Sequence, residues 1–272
     1  MGDRITFAIL GHNEATRLHF AVCQALEAAE VGDQVWFVDS GSTDDSTQRA
    51  AALGTEVIRA PVGKGRAMAV AFERCSDGHL CFIDGDMESS ERNIPATLRR
   101  AVVDTDADMV VGRFTFEARR SVITPALYYP LTRALFPETR DLDILPLSGL
   151  RTVRSGLDVG AIPPGYGVEA HLNLQVGLTG GRIEGCELGV FDGPVREYAN
   201  LAPAADDVVA AILDLAVRQG RLGVADRDLW QEWAAAVLTP LWRAHERGAF
   251  EAHDFESALE ASTRPLPMRE AR

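Results

Sequence analysis

The sequence of 272 residues predicts an α/β fold in which helices flank a mainly parallel central sheet. Three observations favour this class. Short apolar runs alternate with helical patterns in the first half, polar residues follow several of those runs directly, and only helical spacing appears from residue 204 onward. Parallel strands need long crossover connections, and the helical patterns between the runs would supply them.

Each predicted element has its own pattern. Strands are predicted at ITFAIL, QVWFVDS, EVIRA, LCFIDGD and ADMVVGRF. Helices are predicted at residues 14–30, 66–75 and 95–104. A further short helix is predicted directly after residues 42–44, whose side chains can cap it. The second half predicts a helix over 122–136 interrupted by Pro130, a strand from LPLSGLRTVRS, a helix from GYGVEAHLNLQVGL and a strand from RIEGCELGVFDG.

The composition is that of an ordinary globular protein that repels polyanions. Hydrophobic residues make up 46% of the chain, charged residues 25%, and the net charge is −13. Binding to nucleic acid or to an anionic membrane is therefore disfavoured, and any bound phosphate needs a local device such as a metal ion. The four cysteines form no CxxC pair, the start of the chain is unlike a signal peptide, and no apolar run approaches the ~20 residues of a membrane span. We expect a soluble, cytoplasmic protein with free thiols.

Asp84 and Asp86 follow the fourth predicted strand with only Gly85 between them. Two carboxylates this close repel each other unless a cation lies between them, and a turn at Gly85 would let both converge on one ion. Mg²⁺ and Mn²⁺ favour carboxylate oxygens and often carry substrate phosphates as further ligands. Taken alone, the pattern is equally compatible with a strand-to-loop turn that carries two solvated aspartates.

Two other strand ends carry polar residues. Asp39 precedes the hydroxyl-rich stretch SGSTDDST, so its carboxylate could bind a uracil or a ribose, although the stretch also suits a helix-capping loop. Lys64 lies between Gly63 and Gly65, where close backbone approach and a point charge suit a phosphate; the alternative is a flexible surface turn. The spacing differs from that of a P-loop, which argues against an ATPase of that type.

Taken in order, the segments GHNEATRL, FVDSGSTDDST, PVGKGRAMAVAF and CFIDGDM resemble the nucleotide-binding half of GT-A glycosyltransferases. The segments LPLSGLRTVRS, PPGYGVEAHLNLQVG and CELGVFDG resemble their counterparts in glucosyl-3-phosphoglycerate synthases and related mannosylglycerate-type synthases. The resemblance implies a Rossmann-like GT-A domain at 1–200, with a nucleotide-binding half at 1–115, an acceptor-side half at 116–200 and a C-terminal helical extension at 201–272. It also implies transfer of a hexose from a UDP- or GDP-sugar to a small hydroxylated acceptor, with retention and with Mg²⁺ or Mn²⁺.

The resemblance further implies roles for individual residues. Nucleoside diphosphate binding falls to Asn13, Glu14, Asp39, Ser42 and Lys64. Asp84 would meet the ribose or sugar, Gly149 the sugar or acceptor, and Glu169 the sugar, while Tyr166 would line the same cleft and Asp86 would bind the metal. The catalytic residues implied in this way are Asp86, Lys64 and Glu169.

The chain departs from its relatives after the segment LGV. Relatives usually place a metal-binding histidine shortly after it, whereas this chain reads LGVFDGPVREYAN, so that Asp192 is the nearest usable ligand. An aspartate keeps a metal ligand and adds negative charge, which makes a phosphorylated acceptor less suitable.

Other interpretations stay open at this point. An inverting family-2-like transferase would use a different acceptor, a sugar-phosphate nucleotidyltransferase would carry a Gly-rich basic loop where this chain has GHNEATRL, and a non-catalytic GT-A domain would bind nucleotide only. The residues Trp230, Trp233 and Trp242 are expected in a core or in a dimer seam, so the C-terminal helices could form a homodimer.

Overall fold

The computed structural model of the chain describes residues 4–87, 92–115, 122–139, 144–190 and 201–267. The strands in these ranges are β1 (Ile5–Gly11), β2 (Gln34–Asp39), β3 (Glu56–Arg59), β4 (His79–Asp84), β5 (Met109–Thr115), β6 (Arg151–Arg154) and β7 (Ile183–Val190). The α-helices are α1 (Leu18–Ala28), α2 (Ser46–Ala52), α3 (Lys64–Arg74), α4 (Ile94–Thr105), α5 (Tyr129–Leu135), α6 (Val168–Leu178), α7 (Leu201–Arg218), α8 (Val224–Arg247) and α9 (Ala252–Ser262). Short π-helical and 3₁₀ segments lie at Thr124–Tyr128 and Pro137–Thr139.

The seven strands form one sheet in the order β3-β2-β1-β4-β6-β5-β7. β1 pairs in parallel with β2 and β4, as β2 does with β3 and β5 with β7. β6 lies antiparallel between β4 and β5. The mainly parallel α/β sheet predicted from the sequence is confirmed, and the reversed β6 is a feature that the apolar pattern did not indicate.

Helices cover both faces of the sheet, as the nearly continuous apolar runs of the parallel strands require. Alternate residues of β1 point to opposite faces, so Phe7 and Ile9 pack against α1 and α4, whereas Ala8 and Leu10 lie in the core on the side of α3 and α6. Apolar side chains therefore cover both faces of the sheet, and the polar residues that follow β1, β2 and β4 lie at the ends of these strands.

The C-terminal helices α7, α8 and α9 form a third apolar cluster with α5, the π-helical segment and the inner face of α6. Trp230 and Trp233 are buried in this cluster, at 3% and 7% exposure, and Trp242 packs against it. These tryptophans belong to the core of a single chain, the first of the two places expected for them. In the described ranges, no helix is long and apolar enough to cross a membrane.

Two local predictions differ from the structure. Residues 42–44 do not occupy the N-cap position of the next helix, because α2 begins at Ser46 and its N-cap residue is Asp45, although Asp44 Oδ1 accepts a hydrogen bond from the N–H of Ser46 at 2.9 Å. Pro130 does not interrupt the helix near residue 130 either: it lies in the first turn of α5, directly after the π-helical segment. The missing N–H of proline is tolerated where the chain changes from π to α geometry.

Candidate active site

The carboxyl ends of β1, β2 and β4 meet at one edge of the sheet, and the register aligns their last residues. Gly11 lies opposite Asp39, and Leu10 lies opposite Asp84. A cleft of about 910 Å³ opens at this edge. Its lining residues are Leu10, Gly11, His12, Glu14, Arg17, Ser40, Val62, Gly63, Lys64, Ala67, Asp84, Asp86, Gly165, Tyr166 and Asp207. Ligands of open α/β sheets bind at such an edge.

A lysine ion-paired with two carboxylates lies at the centre of the site. Lys64 Nζ is 2.9 Å from Asp84 Oδ1 and 2.7 Å from Glu169 Oε1. The side chains of Lys64 and Glu169 are only 16% and 4% exposed. Burial on its own would lower the pKa of Lys64, but the charges of Asp84 and Glu169, together with their hydrogen bonds, outweigh burial and raise this pKa above its ordinary value. The lysine is therefore a fixed cation at neutral pH.

Gly149 packs against this cluster where no larger residue fits. A Cβ atom at this position would lie 2.5 Å from both Asp84 Oδ2 and Lys64 Nζ. Glu169 reaches the cluster from the other side, from the first turn of α6. A carboxylate is stabilised there by the positive end of the helix dipole.

The loop 163–167 forms a wall of the cleft and packs on the start of α3. A Cβ atom on Gly65 would lie 1.8 Å from the carbonyl oxygen of Pro163, and one on Gly63 would lie 2.5 Å from that of Pro164. The backbone N–H of Arg66 donates to Pro164 O at 3.2 Å. The two glycines beside Lys64 thus make room for this loop, a use that the sequence did not indicate.

Asp207 lines the cleft from α7, and sequence analysis missed it. Its Oδ2 atom accepts a hydrogen bond from the backbone N–H of Tyr166 at 2.8 Å. Gly165 permits this contact, because a Cβ atom there would lie 2.0 Å from the same oxygen. Tyr166, which is 45% exposed, is presented on this clamped loop. The glycines of the segment PPGYG are a sequence signal of a close neighbour, but they do not say which residue it is.

The loops after β1 and β2 are tied together by three of the predicted nucleoside-binding residues. Asn13 donates its backbone N–H to Ser42 Oγ at 2.9 Å, and its Oδ1 accepts from Thr43 N at 2.8 Å. Ser42 N donates to the buried Asp39 at 2.9 Å. Asn13 has a φ of +58°, a left-handed conformation that asparagine tolerates better than most residues. These contacts hold the loops in place and leave the nucleoside contacts themselves a prediction.

Glu14 also lies in the cleft wall and is paired with a residue that sequence analysis missed. Arg17 Nη2 lies 2.8 Å from Glu14 Oε2. Of the predicted site residues, Glu14, Lys64, Asp84, Asp86 and Tyr166 line the cleft. Gly149 and Glu169 contact the Lys64 cluster, Asp39 lies at the aligned strand ends, and Asn13 and Ser42 lie in the loops beside it.

The donor set for a metal ion is incomplete within the described ranges. Asp84 and Asp86 both line the cleft, but Asp84 Oδ1 is engaged by Lys64. No group of three histidine, cysteine or acidic residues that could hold a metal is found among the described residues, and Asp192 lies outside them. One or two carboxylates with phosphate oxygens and water are the usual shell of protein-bound Mg²⁺, so the residues present fit an ion that arrives with a nucleotide diphosphate.

The family model described as Glycosyl transferase family 2 matches residues 6–147, more than half of the chain. The chain belongs to glycosyl transferase family 2. This glycosyltransferase is 26% identical to the glucosyl-3-phosphoglycerate synthase of Mycolicibacterium smegmatis over 218 residues, which cover 71% of this chain and 69% of the relative. It is 28% identical over 204 residues to the uncharacterized glycosyltransferase Rv0539 of Mycobacterium tuberculosis, with 71% and 87% covered.

Solved structures of a related enzyme have the same fold. Glucosyl-3-phosphoglycerate synthase from Mycobacterium tuberculosis, in complex with Mn²⁺, UDP-glucose and phosphoglyceric acid, aligns with a TM-score of 0.68 at 25% identity, covering 79% of this chain and 80% of that one. Its complex with Mg²⁺ and UDP aligns with a TM-score of 0.69 at the same identity and coverage. These matches confirm the predicted GT-A fold and the predicted class of nucleotide-sugar glycosyltransferase. The predicted ions, Mg²⁺ and Mn²⁺, are the ones bound in these two structures.

Proposed function

We propose that this glycosyltransferase transfers a hexose from a UDP- or GDP-sugar to a small hydroxylated acceptor, with retention and with Mg²⁺ or Mn²⁺. The observation that carries the proposal is the Lys64 cluster, in which one buried cation holds Asp84 and Glu169 beside Asp86 in the cleft. The related synthase binds UDP-glucose, Mn²⁺ and phosphoglyceric acid, which is the combination of ligands that the proposal needs.

On the donor side, the reaction requires charge stabilisation at the diphosphate. Departure of the nucleoside diphosphate builds negative charge on its β-phosphate, and Lys64 is a fixed cation in the cleft that can stabilise it. An ion held by Asp86 would supply Lewis-acid stabilisation of the same group. We assign Asp39, Asn13, Glu14 and Ser42 to the nucleoside end, as the resemblance implies, and Asp192 as a further metal ligand.

On the sugar side, the cluster supplies hydrogen-bond acceptors. Lys64 holds one oxygen of Glu169, so the second oxygen can accept a hydrogen bond from a sugar hydroxyl, while Asp84 faces the ribose or sugar. Gly149 and Tyr166 would contact the sugar or the acceptor. Retention is implied by the resemblance; in keeping with it, Asp84 and Glu169 each give an oxygen to Lys64, which makes them weaker candidates for the carboxylate base that an inverting reaction needs at the acceptor hydroxyl.

An inverting transfer is the second candidate function, and Asp207 favours it. This carboxylate lies in the cleft wall and accepts a hydrogen bond from a neutral backbone N–H. A base at this position could take the proton of an acceptor hydroxyl. The anomeric configuration of the product, read by nuclear magnetic resonance, decides between the two.

We further propose the division into a GT-A domain at 1–200, with its nucleotide-binding half at 1–115 and its acceptor-side half at 116–200, and a helical extension at 201–272. All four cysteines are free thiols, which supports action in the reducing cytoplasm. A homodimer through the C-terminal helices stays a prediction, which light scattering of the purified protein can test.

The test is metal-dependent release of nucleoside diphosphate by an Asp86→Asn variant. We expect turnover of UDP-glucose or GDP-mannose with Mn²⁺ to fall on the order of 100-fold, because the neutral amide is a poor ligand for a hard ion. Asp77→Asn is the control, since that side chain is 63% exposed and outside the cleft. Full activity of Asp86→Asn would refute the metal assignment, and release of pyrophosphate in place of UDP or GDP would indicate nucleotidyl transfer.

A further inference from the structure

A buried arginine lies behind the Lys64 cluster, and none of the roles assigned so far includes it. Arg151, the first residue of β6, is fully buried. Burying a guanidinium is costly unless its N–H groups are satisfied, so the position of this residue calls for a physical reason.

All five N–H donors of Arg151 have an acceptor. Nε donates to Ser148 O at 3.1 Å, and Nη2 donates to Ser148 O and, at 3.3 Å, to Pro146 O. Nη1 donates to Glu169 O at 3.3 Å and to Asn173 Oδ1 at 3.1 Å. Only the planar fork of arginine can reach this many acceptors at once, since a lysine offers three donors on a single nitrogen.

These acceptors lie on the two segments that enclose the Lys64 cluster. Ser148 precedes Gly149, whose backbone packs on Asp84 and Lys64. Glu169 offers its backbone carbonyl to Arg151 while its side chain binds Lys64 at 2.7 Å. One guanidinium therefore fixes the backbone on both sides of the cluster.

The charge of Arg151 also complements the cluster. Burial lowers the pKa of Arg151 below its ordinary value, and the carboxylates of Glu169 and Asp84 offset part of that effect. With Lys64, two buried cations face two carboxylates, which keeps the interior of the site close to neutral.

We propose that Arg151 is a positioning residue for sugar transfer, which holds the loop at Gly149 and the first turn of α6 so that Glu169 meets the sugar of the donor. The inference rests on the proposed function and goes beyond it by assigning a residue that does not touch substrate. Its effect is exerted through Glu169 and Gly149, and the nucleoside end of the cleft, at β1 and β2, does not depend on it.

The test compares Arg151→Lys with Val153→Ala, a control in the same strand whose side chain is equally buried and belongs to the apolar core on the side of α3 and α6. Both variants lose packing and are expected to melt at lower temperature. At a temperature where both are fully folded, we expect kcat for UDP-glucose with Mn²⁺ to fall at least about 10-fold in Arg151→Lys and less than about 2-fold in Val153→Ala.

Binding gives a second readout. Calorimetry with UDP and with UDP-glucose is expected to show that Arg151→Lys changes the UDP affinity less than about 3-fold. The variant should lose the difference in affinity between UDP and UDP-glucose, because contacts to the sugar create that difference. In a Glu169→Gln background, Arg151→Lys should lower kcat by less than about 3-fold, because the larger part of its effect is exerted through the Glu169 carboxylate.

Three results would overturn the inference: kcat and ligand preference that match those of Val153→Ala, a full additional loss in the Glu169→Gln background, or an equal loss of affinity for UDP and UDP-glucose. If Arg151→Lys does not fold, Asn173→Ala, which removes one of the four acceptor oxygens, is the variant to measure, with the same expected pattern at smaller amplitude. A wild-type protein that neither binds nor turns over UDP-glucose or GDP-mannose would refute the proposed function itself, a distinct result.

Discussion

Replacing Lys64 by methionine removes the cation that two carboxylates share. Glu169 is 4% exposed at its side chain and would be left with a buried, unpaired charge, whereas Asp84, at 36%, could turn to water. Breaking a buried pair by removing one partner costs about 3–5 kcal/mol, and the partial exposure of Asp84 places this case at the low end, at roughly 3 kcal/mol. At 2–4 °C per kcal/mol for a chain of about this size, the melting temperature should fall by roughly 6–12 °C.

Urea denaturation without nucleotide measures this loss directly. Arg227→Met is the control, because its pair with Asp214 is as short, at 2.8 Å, but 30% and 49% exposed, and surface pairs contribute less than about 1 kcal/mol. Adding Glu169→Gln to Lys64→Met removes the orphaned charge and should restore about 1–2 kcal/mol. A loss in Lys64→Met no larger than that in Arg227→Met, or no recovery in the double variant, would refute the reasoning.

The pH dependence of the Lys64 contribution has a defined direction. The pKa of Lys64 in the folded protein is raised above that of the unfolded chain, about 10.4. Its contribution to stability is therefore fully present below about pH 10.4 and is lost only as the pH rises through the folded pKa. The difference in unfolding free energy between wild type and Lys64→Met, measured by urea titration, should be flat between about pH 6 and 9 with respect to this group.

Two further variants test the wall of the cleft. Gly65→Ala should displace the loop 163–167, because the new Cβ atom would lie 1.8 Å from Pro163 O; we expect at least about 2 kcal/mol of lost stability in urea titration, and an unchanged midpoint would contradict the packing. Asp207→Ala should release the Tyr166 loop and lower kcat about 10-fold in the donor assay, since ordering of a substrate-contacting loop is lost. Asp206→Asn is its matched control, because the Asp206 carboxylate accepts a hydrogen bond from a tryptophan N–H and the amide oxygen of asparagine can still accept it. Equal losses in both variants would count against a role for Asp207.

Most of the fold could be predicted because it is encoded locally. The five strands of the first half are apolar runs bounded by turn residues, and each lies where its pattern predicts, within two residues at its ends. The direction of β6 could not be predicted in this way, because four residues of alternating character do not say which neighbours they pair with. That choice depends on β4 and β5, which lie at least 35 residues earlier in the chain.

The residues of the site also divide into those that the sequence predicts and those that it does not. Lys64, Asp84 and Asp86 follow strands or begin a helix after one, so the parallel sheet alone brings them to one edge. Asp207 belongs to an 18-residue amphipathic helix, and nothing in the sequence distinguishes it from its neighbour Asp206, which turns to Trp242 instead. Arg151 was missed for a similar reason, since an isolated arginine in a strand is more often half-exposed than buried.

The cluster also bears on how the cleft is prepared for a donor. Lys64, Glu169 and the loop at Gly149 are held by ion pairs and by Arg151, which are contacts within the chain itself, so we expect the cost of ordering them to fall on folding and not on binding. In a site organised in this way, stability and turnover can be lost separately. Lys64→Met should lower both stability and turnover, whereas Asp86→Asn, which keeps the size of the side chain, should lower turnover and change the melting temperature without nucleotide by less than Lys64→Met does. A large stability loss in Asp86→Asn would mean that this aspartate holds the fold together as well, and that the metal site and the cluster are one unit.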